Sequence, residues 1–133
     1  TGNASMVHLS AYDFMAASGS TPSSGKVNFQ FAHLGAFVQL KITMPQGGTL
    51  SSVTLSADQA VFTTEGTIDL TASTPAIKSV KKSKTLALHV EGVTTTPENN
   101  VATLYMMLAP VDFTSRTLSA IVKTSDGKSE TLS

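Results

Sequence analysis

Cysteine is absent from the chain, which excludes a disulfide framework, a thiol nucleophile and a cysteine-ligated zinc without fixing a compartment. Tryptophan is absent too, and only 6% of residues are aromatic, so a sugar-binding platform of exposed rings has little to draw on. Charge is sparse at 14%: nine basic residues, Arg116 the sole arginine among them, balance nine acidic ones. With net charge zero there is no broad positive field to hold phosphate backbones or anionic lipid, so no nucleic acid partner is expected. No apolar run approaches the roughly 18 residues of a membrane span, so no membrane insertion of this chain is expected. Residues 1–10 have neither a basic nor an apolar segment of the export type, and any export signal is expected upstream of Thr1.

What the chain has instead is serine and threonine, 36 of 133 residues, and apolar residues that alternate. This length suits one domain able to bury about two-thirds of the surface its unfolded form exposes. Period-two alternation runs through nearly all of it and helical period through almost none. Val27, Phe29 and Phe31 point one way, Asn28 and Gln30 the other; after a break, Val38, Leu40, Ile42 and Met44 alternate with Gln39, Lys41 and Thr43. Further strands are expected at residues 52–57 with Val53 and Leu55 inward, at 66–70 with Ile68 and Leu70 inward, and at 85–90 with Leu86, Leu88 and Val90 inward.

The run VATLYMMLA, residues 101–109, is apolar on both parities, which fits a central strand covered on both faces, and Pro110 ends it because proline cannot donate to a ladder. Asp126 and Gly127, between two alternating segments, are the sequence form of a two-residue hairpin turn at positive φ. Residues 17–25, 44–52, 71–84 and 91–100 read as loops. The fold class is therefore all-β, a two-layer antiparallel β-sandwich of about seven strands, with residues 1–133 forming a single domain. The return arm of the last hairpin is short at Ser133, so the chain is expected to be a fragment of something longer.

Side-chain chemistry is thin. His8, His33 and His89 are the only imidazoles, and none has a second ligand at metal-binding spacing. His33 shares the parity of Phe29 and Phe31, so a structural core motif is expected from Phe29, Phe31, His33, Val38, Leu40 and Ile42, with His33 buried on one hydrogen-bond partner. His89 has the parity opposite to Leu88 and Val90 and is expected in solvent. Hydroxyls abound but no Gly-x-Ser-x-Gly elbow occurs, and the carboxylates stand singly without calcium-loop spacing. No catalytic, cofactor or metal site is assigned. The one charge run, KSVKKSK, sets Lys78, Lys81, Lys82 and Lys84 within seven residues with no aromatic beside them. An exposed loop, or an edge strand whose lysines deter edge-to-edge pairing, is favoured there over an anion or glycan-sulfate contact.

Four stretches in order carry a resemblance. YDFMAASG (residues 12–19) and GKVNFQFAHLGAFVQLKITMP (25–45) are followed by SVTLSADQAVFTTEGTIDL (52–70) and YMMLAPVDFTSRTLSAIVKTSDGKS (105–129). Together they resemble the N-terminal domain of the fimbrillin family, the Mfa-like type V pilins and related surface lipoproteins. Phe37 stands where the family pattern has Lys or Arg, and Gly35 where a larger apolar residue is usual. The resemblance implies a transthyretin-like sandwich, export as a lipoprotein to the outer membrane, a place in a fimbrium or surface adhesin, and no catalytic residues or cofactors. It also implies partnership with other pilus or surface subunits by strand addition, or with host or bacterial surface ligands. Family maturation after an arginine has no match at Arg116, which lies far from the N-terminus. A non-enzymatic structural or adhesive surface protein is therefore expected, with a glycan-binding module of a polysaccharide-capture lipoprotein as the alternative.

Overall fold

In the computed structural model, which describes residues 6–19 and 23–133, strands β3 (Ala36–Thr43) and β9 (Val101–Leu108) pair antiparallel from Ala36↔Leu108 to Thr43↔Val101. Facing them is a larger antiparallel sheet in the order β11 (Ser129–Leu132), β10 (Leu118–Thr124), β4 (Gly48–Ala57) and β7 (Thr85–His89), with β8 (Thr94–Thr95) also on β4. The core lies between these two layers: Ile42, Leu104 and Met106 from one meet Val53, Leu88 and Val122 from the other. Each contributes every second residue because side chains alternate across a strand, so one face is apolar and the other wet. Ile42 is buried in this core, and Val38 and Leu40 are half-buried against it. The sequence expectation of an all-β sandwich is what the structure has.

Two segments expected as separate pieces are one bent hairpin. Strand β5 (Phe62–Ile68) continues β4, and β6 (Ile77–Ser83) runs into β7 with Lys84 alone between them. Ala57 N donates to Lys84 O at 2.8 Å and Val61 N to Ser83 O at 3.1 Å, so the two halves stay in contact across the bend. Residues 71–84 are thus not all loop: β6 carries Lys78, Lys81 and Lys82, and among the described residues it pairs only with β5. This is the edge-strand alternative, in which solvated lysines discourage a further strand from adding. Ile68 and Leu70, expected inward, are exposed: among the described residues β5 and β6 pair with no further strand, and Ile68 only lines a concavity shared with Tyr12 and Phe14.

The N-terminal segment lies outside the sandwich. A 3-10 helix (Val7–Ala11) precedes β1 (Met15–Ala16), which among the described residues pairs only with β2 (Ala32–His33). No helix among the described residues is long and apolar enough to cross a membrane.

Candidate functional site

Three members of the expected core motif are not in the core. Phe29 and Phe31 are 58% and 61% exposed, and the His33 side chain is 64% exposed. Leu34, one residue on, is buried, and its parity is the one that continues through Val38, Leu40 and Ile42. The inward register of this region begins at Leu34; residues 28–33 are exposed on both parities, and Val27 is half-buried. Alternation reports a one-sided segment but not whether another layer exists to cover that side. His33 instead pairs with Asp13, its Nδ1 lying 3.0 and 2.8 Å from the two carboxylate oxygens. The pairing of β1 with β2 brings them together across 20 residues of sequence. A base oriented by a carboxylate is half of a catalytic arrangement, but Nε2 of His33 makes no hydrogen bond among the described residues, so no nucleophile completes it. His89 is solvated as expected, with Glu91 Oε1 at 3.4 Å.

The last hairpin forms at the expected residues with a different loop. Beyond the Lys123↔Ser129 ladder pair Thr124 N donates to Lys128 O at 3.0 Å, which leaves residues 125–127 as the loop; Gly127 N donates to Thr124 O at 3.1 Å, and Gly127 has φ +86° while Asp126 is not at positive φ. This is a three-residue loop closed by a glycine in the left-handed region, not a two-residue turn. Thr124 Oγ1 donates to Asp126, and Lys128 Nζ is 2.8 Å from its other oxygen. The Lys128 hydrogen bond and then that of Thr124 hold the Asp126 carboxyl at about 2. The same contact pushes the Lys128 ammonium up.

The feature with functional geometry is an edge. Among the described residues β3 pairs on one side only, with β9. Met44 N donates to Asn100 O at 2.7 Å, which extends that ladder by one pair and fixes its phase. Main-chain groups alternate in direction along an antiparallel strand, so Phe37, Gln39, Lys41 and Thr43 aim their N–H and C=O groups away from β9, at the open edge. The opposite edge of this layer behaves as that phase requires. The Tyr105 carbonyl, turned away from β3, accepts the Nε2–H of His8 at 3.1 Å, so the 3-10 helix covers β9.

Next to the open edge lies a groove of about 570 Å³ between the end of β3 and the β10–β11 hairpin. Ile42 and Val122 form its floor, Met44 and Leu132 its apolar walls, and Lys128 and Glu130 its rim. Because Ile42 and Val122 are themselves buried core members, the groove opens onto the core of the sandwich. Four outward main-chain donor and acceptor positions, the last of them Thr43 at the apolar slot, are what an added β-strand needs: hydrogen bonds for its backbone and a pocket for apolar side chains at that end. Loops on either side keep the slot open. Gly47, at φ +69°, turns the chain after β3, and a Cβ there would lie 2.7 Å from the Thr95 carbonyl.

A second apolar concavity of about 320 Å³ lies at the other end of β3, where Gly35 leaves room for the Met107 side chain below Tyr12 and Phe14. On the outer face of β3–β9, Phe37 stacks on Tyr105 with ring centroids 5.7 Å apart, and Gln39 Nε2 donates to the Tyr105 hydroxyl at 3.2 Å. The β9 face expected to be covered is thus half-open. No group of three His, Cys, Asp or Glu side chains that could hold a metal occurs among the described residues. The family model that matches is described as fimbrillin-like and covers residues 3–133. Neither a curated protein nor a solved structure matches the chain.

Proposed function

The chain belongs to the fimbrillin-like family, and on that premise we propose that it is a non-enzymatic structural subunit of a surface fimbrium that accepts a strand from another subunit along the free edge of β3. The observation that carries this reading is the pairing of that edge with an apolar groove reaching the core floor at Ile42 and Val122. An unfilled groove of this kind leaves both main-chain groups and core side chains short of partners, and one extended segment supplies both. The reading includes export, anchoring at the outer membrane as a lipoprotein, a transthyretin-like arrangement of the sandwich, and a place as the first domain of a longer subunit.

The full-length protein tests it directly. Antibody labelling of intact cells and the size of unheated detergent extracts are expected to show surface-exposed, high-mass assemblies. Thr43→Pro is expected to abolish them: it removes an outward N–H at the groove without removing a bond to β9. A full-length protein that stays periplasmic and monomeric contradicts the proposal.

A second reading, a glycan-binding module, is favoured by the half-open platform of Phe37, Tyr105 and Gln39. A planar ring pair with an amide beside it is the kind of surface on which a sugar ring stacks. Glycan-array binding lost on Phe37→Ala would support it; an array without hits would remove it.

A further inference from the structure

Both tyrosines of the chain, with Phe14 and Phe37, gather on the outer side of the β3–β9 layer. Odd-numbered residues of the two strands stand outward there, and the ladder sets Phe37 opposite Met107, Gln39 opposite Tyr105 and Lys41 opposite Thr103. Each ring of the Phe37–Tyr105 stack covers only one face of the other, and Phe37 is 52% exposed.

Polar groups beside the rings are short of partners. The Tyr105 hydroxyl accepts from Gln39 Nε2 at 3.2 Å, and among the described residues its own proton has no acceptor. Of the outward side chains of β3 and β9 only Lys41 is charged, and no carboxylate pairs with it among the described residues. Lys41 follows Gln39 on the same face, about 7 Å along the strand, within reach of the Tyr105 ring. Toward the other end the platform runs through Met107 into the concavity of about 320 Å³, where Gly35 has no side chain and Tyr12 and Phe14 form a wall. The Glu65 carboxylate on its lining is neutralised by Lys81.

We propose that this outer face binds an acidic glycan, with one pyranose ring stacked on Phe37 and Tyr105, its carboxylate on Lys41, and the neighbouring sugar in the concavity beside Gly35. This rests on the glycan-binding reading and names its ligand class. Charge selects the occupant: a neutral sugar leaves the one ammonium of this face without a partner, whereas a uronic acid carries ring and carboxylate as one rigid unit. Its C–H groups meet the aromatic faces, and its hydroxyls meet the Tyr105 proton and the Gln39 carbonyl oxygen. The concavity is within the size range of small-ligand pockets, and Thr63 and Thr64 interrupt its apolar lining with hydroxyls. Side chains stand out of a sheet while its edge lies in the sheet plane, so a strand added to β3 leaves this face open.

Titration of the chain with trigalacturonate, followed by nuclear magnetic resonance, tests the proposal, with the methyl ester as a ligand of the same rings and no charge. The acid is expected to bind more tightly than the ester, to weaken as salt is raised, and to shift the amides of residues 37–41 and 103–107. Phe37→Ala is expected to lower affinity for both ligands by about tenfold, and Lys41→Gln to lower that for the acid alone by about threefold. Both side chains are exposed, so circular dichroism and melting are expected to stay unchanged. Gly35→Ala sets a Cβ 2.8 Å from Met107 Cε and drives that flexible side chain into the concavity. It is expected to weaken trigalacturonate and leave single galacturonic acid unaffected.

Equal affinity for acid and ester, with both lowered by Phe37→Ala, leaves the glycan reading standing and overturns the acidic ligand. Binding insensitive to Phe37→Ala, or no amide shifts with either ligand, overturns both. A Gly35→Ala chain that holds trigalacturonate as well as the native chain does overturns the neighbouring subsite.

Discussion

His33 and Asp13 are hydrogen-bonded at the surface of the molecule, 2.8 Å between Nδ1 and the nearer oxygen, where sequence parity places the histidine inside. Their contact ties the entry of the N-terminal segment to the start of β3 through the two-residue pairing of β1 and β2. The contact contributes little, because the exposed His33 imidazole is solvated by water almost as well without it. His33→Ala is therefore expected to cost no more than about 1 kcal/mol in urea unfolding. Leu104→Ala, at a fully buried position, is expected to cost about 2–5 kcal/mol. A histidine substitution as costly as the leucine one would put His33 back in the core.

Two glycines with the same backbone and different surroundings separate strain from crowding. Gly47 and Gly92 have φ +69° and +70°, but a Cβ at Gly47 meets the Thr95 carbonyl at 2.7 Å and Thr96 Cα at 2.9 Å, whereas at Gly92 nothing lies within 4 Å. Gly92→Ala is expected to cost about 1 kcal/mol, the left-handed penalty alone. Gly47→Ala is expected to cost clearly more, about 2–4 kcal/mol, because backbone cannot rotate away as a side chain can. Equal melting temperatures for the two variants would contradict the turn geometry beside the groove.

The β10–β11 hairpin is expected to weaken in acid. Asp126 titrates at about 2 in the folded chain against an ordinary 3.8. A depressed carboxyl favours the folded state when ionised, so its contribution is full above the ordinary value and is lost as pH falls from there through about 2. Asp69 and Asp112 are lowered by hydrogen bonds from Thr71 and Thr114 and work in the same direction. Faster amide exchange in β11 across that window is expected for the native sequence and a flatter response for Asp126→Asn. A carboxyl resonance of Asp126 with an ordinary midpoint would contradict the Lys128 and Thr124 contacts.

Which parts were legible from sequence follows from what period two can report. Val38, Leu40 and Ile42 were placed inward correctly because β9 and the opposing layer supply the cover their alternation presumes. Phe29 and Phe31 alternate just as well, but alternation carries no information about whether a neighbour exists, and among the described residues β2, which follows them, pairs with β1 alone. The lysines of β6 hid a strand inside an expected loop, since polar side chains on both sides of a thin ribbon erase its period. Asp126 and Gly127 were found because turn chemistry is local, although the loop is one residue longer than the dipeptide implies. Asp13 had no sequence signal linking it to His33; only the fold closes that distance. The accepting edge was invisible for a related reason: an unpaired side of a strand is a property of topology. The apolar outer face of β9 at Tyr105 and Met107 was its nearest trace.

The strand-accepting edge is tested most directly by hydrogen exchange at alternate amides of β3, read by nuclear magnetic resonance in the isolated chain and by mass spectrometry with fragmentation in the assembled fimbrium. In the isolated chain the amides of Val38, Leu40 and Ile42, bonded to β9, are expected to be protected, and those of Phe37, Gln39, Lys41 and Thr43 to exchange fast. Assembly is expected to bring protection to the second set and leave the first unchanged. Outward amides already protected in the isolated chain, or still exchanging fast in the assembly, would contradict strand addition at this edge.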